Sequence, residues 1–403
     1  FMKKLRSEKY LKMKETRRKL PAWSKMTEVI DTIEKNQVTI ISGETGCGKS
    51  TQVPQFILDD WIINRNVKKE HVEIVCTQPR RISAIGVAER VADERDEKPG
   101  QTVGYQIRLE SKMSAWTRLT FCTTGILLQR LSSDPHLKSV SHVIIDEVHE
   151  RSAESDFLLM LLREILPHRP NLKIILMSAT LKTDSFSEYF KNPPILDIPG
   201  RTFPVKQIFL EDIIEEMDYV FEKDSKFTRK IKGGWDNLDI ELATAEVAAF
   251  AAQPPKSTIL DSNLNLTQLI GRYPGYSLRT YKCLYAMDQD KINYELLEAI
   301  LVYIANGTAD YPTEGSILVF LPGMAEITTL KGMLQHTPTF GPKNGKFKII
   351  PLHGSLSGEE QALVFQKMEP GVRKIVLATN IAETSITIDD CVYVIDTGRM
   401  KET

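Results

Sequence analysis

The chain alternates short apolar runs, many of them β-branched, with stretches that have helical periodicity. In the first half, such runs at positions 38–41, 73–76, 142–145 and 173–177 are each followed by polar residues. Strands of a parallel sheet are buried on both faces and therefore appear as continuous apolar runs, and helices cover such a sheet. The pattern predicts an α/β fold whose polar residues gather at the carboxyl ends of the strands, where such sheets bind ligands.

A second series of apolar runs, at positions 316–320, 347–350, 374–378 and 392–395, predicts another α/β domain. A segment with proline and glycine at 199–204 is suited to the boundary between the two. We therefore expect domain 1 at 25–204 and domain 2 at 205–403, each a mostly parallel sheet covered by helices. At about 211–290 the pattern fails, and charges and Gly/Pro pairs indicate an insertion with weak structure of its own.

The composition is that of an ordinary folded protein, with 42% hydrophobic and 26% charged residues among 403. No apolar run reaches the roughly 18 residues of a membrane span, and the opening residues do not resemble a signal peptide. The five cysteines have no paired spacing that would indicate structural zinc or a disulfide framework. We expect an intracellular protein, in the cytoplasm rather than the nucleus. Because Phe1 precedes Met2 and the sequence stops abruptly at Thr403, we also expect a fragment of a longer chain.

Charge is unevenly distributed, although the net charge is only −1. Residues 1–20 contain nine Lys or Arg against two Glu, so a basic arm at residues 1–24 precedes an acidic remainder. The sequence leaves two interpretations open: a solvated helix that leads into domain 1, or an arm that contacts phosphates.

The segment after the first strand fits the phosphate-loop pattern and lies between a strand and a helical stretch, as that pattern requires. Its residues are Gly43, Glu44, Thr45, Gly46, Cys47, Gly48, Lys49, Ser50 and Thr51. Glycines let consecutive backbone N–H groups converge on phosphate oxygens, and the following helix adds its positive end. Lys49 would reach the β- and γ-phosphates, and Ser50 would ligate Mg²⁺. Cys47 occupies a free position of the pattern, so a redox-sensitive thiol is an alternative interpretation of that residue.

Two acids and a histidine follow the apolar run at 142–145. Asp146 and Glu147 would emerge at the end of that strand, within reach of a phosphate bound at Lys49. We expect Asp146 to hold Mg²⁺. Glu147, beside the same ion, would orient and deprotonate the water that attacks the γ-phosphate. For His149, grouped with these catalytic residues, a coupling role is favoured over that of a base, and a merely packed histidine is the alternative.

Several separate segments resemble the DEAH/RHA group of superfamily 2 helicases. They are 43–52 (motif I), 77–81 (motif Ia), 103–108, 123–125, 146–149 (motif II, with Val148 where alanine is usual), 178–180 (motif III), 320–323 (motif IV) and 379–388 (motif V). The resemblance spans nearly the whole chain and implies two RecA-like domains of the phosphate-loop NTPase type. The arginine-bearing motif VI of that family is not found in the 403 residues, and neither are its winged-helix, helical-bundle and OB-fold regions.

The resemblance also implies how the nucleotide is held. Arg90 and Phe365 would clamp the adenine between them, and Asp396 would lie near the ribose. Stacking uses the face of the base and makes few contacts with its edges, so any nucleoside triphosphate would be accepted. For Phe365 the alternative is a core residue of an amphipathic helix.

For the nucleic acid, the resemblance implies contacts with phosphates that carry no base sequence. The residues concerned are Arg80, Arg81, Arg108, Thr123, Thr124, Gly323, Thr379 and Asn380. Ser178, Ala179 and Thr180 would couple the nucleotide to the nucleic acid, unless they only end a strand.

The leading hypothesis is the motor of an ATP-dependent RNA helicase that uses Mg²⁺ and acts as a monomer. It would work on single-stranded or structured RNA in the 3′-to-5′ direction, with a ribonucleoprotein or a protein cofactor as partner. A nucleotide-gated RNA clamp with little strand separation is a second hypothesis. A phosphate-loop kinase or GTPase is a third, and motif V and the lack of a guanine-reading Asn-Lys-x-Asp run argue against it. Without the arginines of motif VI, we expect the 403-residue chain to bind nucleotide but hydrolyse it poorly.

Overall fold

The computed structural model describes residues 7–65, 71–179, 184–200, 204–222, 225–231, 234–249, 255–307, 311–384 and 388–401. Contacts between Cα atoms divide the chain into two compact units. Unit 1 comprises Phe1–Phe203, Gly354–Ala362 and Ile381–Ile388, and unit 2 comprises Pro204–His353, Leu363–Asn380 and Asp389–Thr403. Thr180, predicted to couple the two sites, lies outside the described residues.

Unit 1 is built on an eight-stranded sheet with the order β4-β3-β5-β2-β6-β7-β1-β8. The strands are β1 (Val38–Gly43), β2 (Ile74–Gln78), β3 (Val103–Ile107), β4 (Glu110–Lys112), β5 (Leu119–Thr123), β6 (His142–Ile145), β7 (Lys173–Ser178) and β8 (Ile195–Ile198). Only β4 runs antiparallel to its neighbour. The predicted α/β architecture with a mostly parallel sheet is confirmed.

Helices cover both faces of this sheet. They are α1 (Glu8–Arg18), α2 (Pro21–Ser24), α3 (Met26–Lys35), α4 (Lys49–Asp60), α5 (Arg81–Glu94), α6 (Thr124–Ser133), α7 (Ala153–Ile165) and α8 (Asp184–Tyr189). Alternate residues of β1 face opposite sides: Ile41 lies in one buried apolar cluster and Ile40 in the other. The strand is therefore apolar throughout, which explains why it was visible in the sequence.

Residues 8–18 of the basic N-terminal arm form helix α1, in which only Tyr10 and Arg17 are buried, so the interpretation as a solvated helix is largely confirmed and a contact with phosphates stays a prediction. Its Lys9 forms an ion pair with Asp93 of α5 at 2.8 Å, and its Ser7 cap donates a hydrogen bond to Asp96. Arg17, at the other end, is buried. The arm is an integral part of unit 1, because its charges find partners on the body of the unit.

Unit 2 contains a second parallel sheet, with the order β10-β11-β9-β12. Its strands are β9 (Ser316–Phe320), β10 (Phe347–Leu352), β11 (Arg373–Ala378) and β12 (Cys391–Asp396). Its helices are α9 (Leu210–Glu216), α10 (Gly234–Ala249), α11 (Leu266–Arg272), α12 (Leu278–Ala286), α13 (Tyr294–Asn306) and α14 (Met324–His336). The short helices α15 (Gly358–Ala362) and α16 (Ile381–Thr384) are grouped with unit 1. Leu301 of α13 and Leu330 of α14 pack with Ile317 of β9 in the core.

The expectation of weak structure at about 211–290 is wrong. Helices α9 to α12 lie in this segment and enclose two buried apolar clusters, one around Leu284 and the other around Tyr281. Gly234, which suggested a loop, stands at the start of α10. The side chain of Asn265 caps the start of α11. This helix has only seven residues, so its apolar repeat was too short to be recognised in the sequence. Within the described ranges, no helix is long and apolar enough to span a membrane.

Candidate active site

The polar motifs of unit 1 lie along one edge of its sheet. Strands β6, β7 and β1 are consecutive and parallel, so their carboxyl ends meet at the same edge. The phosphate loop follows β1, Ser178 ends β7, and Asp146 follows β6. The fold therefore brings together three segments that are far apart in the sequence. They meet at the edge where parallel sheets bind ligands.

The phosphate loop has the backbone conformation that its glycines permit. Gly46 and Gly48 have φ values of +81° and +94°, in the left-handed region that favours glycine. Gly48 is the residue before α4 and provides no side-chain cap. The first N–H groups of the helix therefore point along its axis without a capping partner. A Cβ at Gly43 would lie 2.9 Å from the carbonyl oxygen of Ile198, whereas one at Gly46 would meet no atom within 4 Å. Gly46 thus borders open space above the loop.

Within the loop, Glu44 and Thr45 are exposed, whereas Lys49 is buried and Ser50 and Thr51 are partly buried at the start of α4. In the described part of the chain, the ammonium group of Lys49 has neither an ion-pair nor a hydrogen-bond partner. A buried, unpaired charge is costly and is usually matched by a ligand or a partner. The chemistry of this lysine is therefore incomplete without an anion.

Cys47 has a structural place in the loop. Its side chain is buried, and its carbonyl oxygen accepts the N–H of Ala22 at 3.0 Å. Burial raises the pKa of the Cys47 thiol. Reactive cysteines have a lowered pKa and some exposure, so the structure does not support the redox-sensitive alternative.

The two acids after β6 are held differently. Asp146 accepts hydrogen bonds from Nε2 of Gln78 at 2.8 Å and from the backbone N–H of Glu147 at 2.9 Å. Glu147 has a left-handed backbone with φ of +54°, and its buried Oε2 has no hydrogen-bond partner among the described residues. Burial first, and then the Asp146 carboxylate, raise the pKa of Glu147, while Lys49 lowers it. One acid is fixed and the other is left available, and the roles predicted for them stay predictions.

His149 links the acids to the end of β7. Its Nδ1 accepts the backbone N–H of Ala179 at 3.2 Å and lies 3.5 Å from Oε2 of Glu147. Burial, followed by the charge of Lys49, lowers the pKa of His149. The hydrogen bond from Ala179 engages Nδ1 and joins motif II to motif III, which favours the coupling role over that of a base.

The residues predicted to hold the base fall in both units. Arg90 lies on α5 of unit 1, and its Nε donates to Oε1 of Glu94 at 2.8 Å. Phe365, in unit 2, ends a short 3-10 turn and is 46% exposed, so the alternative that it is a core residue is wrong. Asp396 is the last residue of β12, is exposed, and accepts the N–H of Gly398 at 2.8 Å.

The other half of the same sheet edge carries the predicted nucleic-acid residues of unit 1. Strands β3, β5 and β2 are consecutive and parallel. Their carboxyl ends lead to Arg108, to Thr123 and Thr124, and to Arg80 and Arg81. Arg108 and Arg81 are exposed, and Arg80 lies 4.0 Å from Glu150. Thr124 is buried, so a contact with phosphate would come from its backbone N–H at the start of α6.

The remaining predicted nucleic-acid residues belong to unit 2. Gly323 precedes the first residue of α14, which places helical N–H groups beside it. Thr379 is buried and Asn380 is partly buried directly after β11. These residues therefore also follow the carboxyl ends of their strands.

Two polar side chains of this site were not predicted from the sequence. Gln78 ends β2 beside β6 and fixes Asp146, and its position at the end of a buried strand is a signal that could have been used. Glu94 orients Arg90 from one helical turn away, and nothing in the local sequence distinguishes it from a surface acid.

Comparison with known proteins agrees with this geometry. Residues 25–188 match the family model described as DEAD/DEAH box helicase, and residues 295–402 match the helicase conserved C-terminal domain. Together with the two parallel sheets and the phosphate loop, these matches define a pair of RecA-like helicase domains. The chain belongs to the DEAD/DEAH-box helicase family.

Its relatives are DExH-box proteins. Over its whole length the chain is 50% identical to the human "Putative ATP-dependent RNA helicase DHX57" and covers 30% of that protein. It is 47% identical to the bovine "ATP-dependent DNA/RNA helicase DHX36", again over all of the chain and 38% of the relative. The "DExH-box ATP-dependent RNA helicase DExH1" of Arabidopsis thaliana is 45% identical over 97% of the chain and 37% of the relative. The chain thus spans about a third of the length of the curated relatives it matches.

Proposed function

We propose that this chain is the nucleotide-driven motor of an RNA helicase or translocase. The observation that carries the proposal is the buried Glu147, whose Oε2 has no hydrogen-bond partner among the described residues, together with the buried Lys49 at the start of α4. An unpaired lysine beside a phosphate loop fits the phosphates of a nucleotide. An unpaired carboxylate beside a fixed one fits a water molecule and a cation.

The residues divide the work of hydrolysis. Lys49 and the N–H groups at the start of α4 bind the phosphates, and the hydroxyl of Ser50 and the carboxylate of Asp146 hold Mg²⁺. The ion supplies positive charge to the phosphate oxygens when bound. In its ionised form, which the positive charge of Lys49 favours and a bound cation would favour further, Glu147 would orient the attacking water and take its proton.

The nucleic acid is RNA in this proposal. Arg81 and Arg108 are exposed on the edge of the same sheet, and such residues bind phosphate without reading base sequence. The relatives are named as RNA helicases or DNA/RNA helicases, which supports RNA over DNA as the nucleic acid bound. We infer travel in the 3′-to-5′ direction from the family resemblance, and duplexes with a 3′ or a 5′ overhang distinguish the two directions.

A nucleotide-gated RNA clamp is the alternative, because the same contacts can hold RNA without separating strands. The contact between His149 and Ala179 favours a motor, since it links the hydrolysing residues to motif III. A duplex-unwinding assay separates the two: a clamp holds RNA in the presence of ATP but does not displace the second strand. We further propose that the protein acts as a monomer, in the cytoplasm, with a protein or ribonucleoprotein partner.

We expect the 403-residue chain to bind Mg²⁺–nucleotide but to release phosphate at near-background rates, even with saturating single-stranded RNA. The family's motif VI arginines are not within it, and an arginine that neutralises the transition state contributes on the order of 10³ to 10⁵ in rate. The test compares phosphate release by this chain and by a version extended through motif VI. Robust RNA-stimulated hydrolysis by the shorter chain would show that another residue neutralises the transition state.

Base selectivity gives a second expected result. If the base is held by stacking alone, GTP, CTP and UTP bind within about tenfold of ATP, a difference of roughly 1.4 kcal/mol. Phe365→Ala weakens all four nucleotides alike, whereas Phe209→Ala, at another exposed phenylalanine of unit 2, changes none. Competition against a fluorescent nucleotide measures both effects. A preference for ATP of about a thousandfold or more would require residues that read the edge of the base and would contradict binding by stacking alone.

A further inference from the structure

A buried cluster of polar side chains joins α1, α4 and α5 within unit 1. Arg17 of α1 and Glu94 of α5 are each 1% exposed. The Nε of Arg17 donates to Oε1 of Gln52 at 2.8 Å and lies 3.8 Å from Oε2 of Glu94. That oxygen of Glu94 also accepts hydrogen bonds from the amides of Gln52 and Gln55, at 2.9 and 2.8 Å. The N-terminal arm therefore contacts the helix of the phosphate loop directly, through Gln52 and through Asp59 at 3.4 Å from Arg17, and it reaches Glu94 of α5 at the same point.

The other oxygen of Glu94 reaches the predicted base-stacking residue. Its Oε1 accepts the Nε–H of Arg90 at 2.8 Å, while 48% of the Arg90 side chain stays exposed. A guanidinium group is planar, so a hydrogen bond at Nε fixes the direction in which its face points. Glu94 thus determines how Arg90 presents that face to solvent and to a base.

Charge balance makes this arrangement depend on the N-terminal arm. A buried carboxylate needs compensating positive charge, and Glu94 has Arg17 on one side and Arg90 on the other. Arg17 also lies 3.4 Å from Asp59, but that acid has Arg95 as a second partner at 2.6 Å and keeps it when Arg17 is removed. If Arg17 is removed, Arg90 becomes the principal counter-charge of Glu94, and its guanidinium is drawn toward the carboxylate and away from a stacked base.

The same cluster contacts the phosphate loop at its last residue, Thr51. Gln52 donates to Oγ1 of Thr51 at 2.9 Å, and Gln55 donates to the carbonyl oxygen of Thr51 at 3.0 Å. Neither contact involves Lys49 or Ser50, the two residues assigned to the phosphates and to Mg²⁺. A disturbance of the cluster should therefore affect the nucleoside part of a ligand more than its phosphates.

We propose that Arg17 and Glu94 are positioning residues that hold Arg90 for stacking on the base, so that helix α1 of the N-terminal arm sets the affinity for the nucleoside part of the nucleotide. The proposal rests on the nucleotide-binding function proposed above. It assigns the buried end of the arm a role in ligand recognition, in addition to its packing against α4 and α5.

The test compares the binding of Mg²⁺–ADP and Mg²⁺–pyrophosphate to the 403-residue chain by calorimetry. Pyrophosphate uses the phosphate loop but has no base. Arg17→Met and Glu94→Gln should weaken ADP about three- to tenfold, the range expected for a cation–π contact, and change pyrophosphate by less than about twofold. Lys9→Ala is the matched control, because it breaks an exposed ion pair between α1 and α5 without touching Glu94.

A double-mutant cycle separates positioning from general damage. In an Arg90→Ala background, Arg17→Met should have no further effect on ADP, since the residue it positions is already missing. Thermal unfolding of each variant checks that it is folded, and if Arg17→Met does not fold, the isosteric Glu94→Gln decides the question. Equal weakening of ADP and pyrophosphate, or an undiminished effect in the Arg90→Ala background, would overturn the proposal. Failure of the unsubstituted chain to bind Mg²⁺–ADP would instead reject the nucleotide-binding function itself.

Discussion

Lys49→Ala is expected to weaken the binding of Mg²⁺–ATP to this chain at least about 100-fold and to abolish hydrolysis in any longer version. The substitution removes the one positive charge that α4 directs toward the phosphates from a buried position. A fixed group of this kind, in a site from which water is excluded, contributes about 3 to 4 kcal/mol, and each 1.4 kcal/mol is roughly a factor of ten. Calorimetry measures the binding, and phosphate release measures the hydrolysis.

The control for this experiment is Lys35→Ala, which removes an exposed lysine from α3 of the same unit. It should leave nucleotide affinity unchanged. Thermal unfolding shows whether Lys49→Ala remains folded, and we expect it to, because removal of an unpaired buried charge relieves a desolvation cost. Unaltered affinity in folded Lys49→Ala would contradict the assignment of the phosphate loop.

Glu147→Gln is expected to keep Mg²⁺–ATP affinity within about threefold while hydrolysis falls by about 10² to 10⁴, the range for loss of a general base. Glutamine has the same shape, so Oε2 is replaced by an amide group that cannot take the proton of water. Asp146, which is held by Gln78, remains in place for the cation. Single-turnover phosphate release from a version extended through motif VI measures the loss.

Glu154→Gln, at an exposed acid in the first turn of α7, serves as the control and should hydrolyse normally. The binding and hydrolysis of Glu147→Gln are compared with those of Lys49→Ala, because the two residues are assigned to different steps. If Glu147→Gln lost binding as completely as Lys49→Ala, the division between phosphate binding and water activation would be wrong.

In the first sheet, the sequence predicted the interior strands β1, β2, β6 and β7, which appear as apolar runs. The interior strands β3 and β5 were not predicted, although most of their residues are buried, because glycine and polar residues interrupt their apolar positions. The edge strands β4 and β8 were not recognised either, because all residues of β4 are exposed and β8 is half exposed. In the second sheet, the edge strands β10 and β12 were predicted although they are only partly buried, so the prediction followed the apolar run rather than burial itself.

Some residues of the site could be predicted from their position after a strand, whereas others depend on partners that are far away in the sequence. Lys49, Ser50, Asp146 and Glu147 follow buried strands directly, so position along the chain was enough to predict them. Glu94 depends on Arg17, 77 positions earlier, and on Gln52 from a third helix. The helices of the segment at about 211–290 were missed for a related reason, since their apolar sides become evident only once α9 to α12 pack together.

Magnesium-dependent ADP binding to the 403-residue chain tests the central claim most directly, because it needs neither RNA nor motif VI. We predict that one ADP binds per chain. The affinity should fall sharply when EDTA removes Mg²⁺, and it should also fall in Lys49→Ala. Calorimetry on the unsubstituted chain, with and without EDTA, and on Lys49→Ala decides it. The absence of ADP binding, or binding that is equal in all three cases, would contradict a nucleotide site built from the phosphate loop and the two acids after β6.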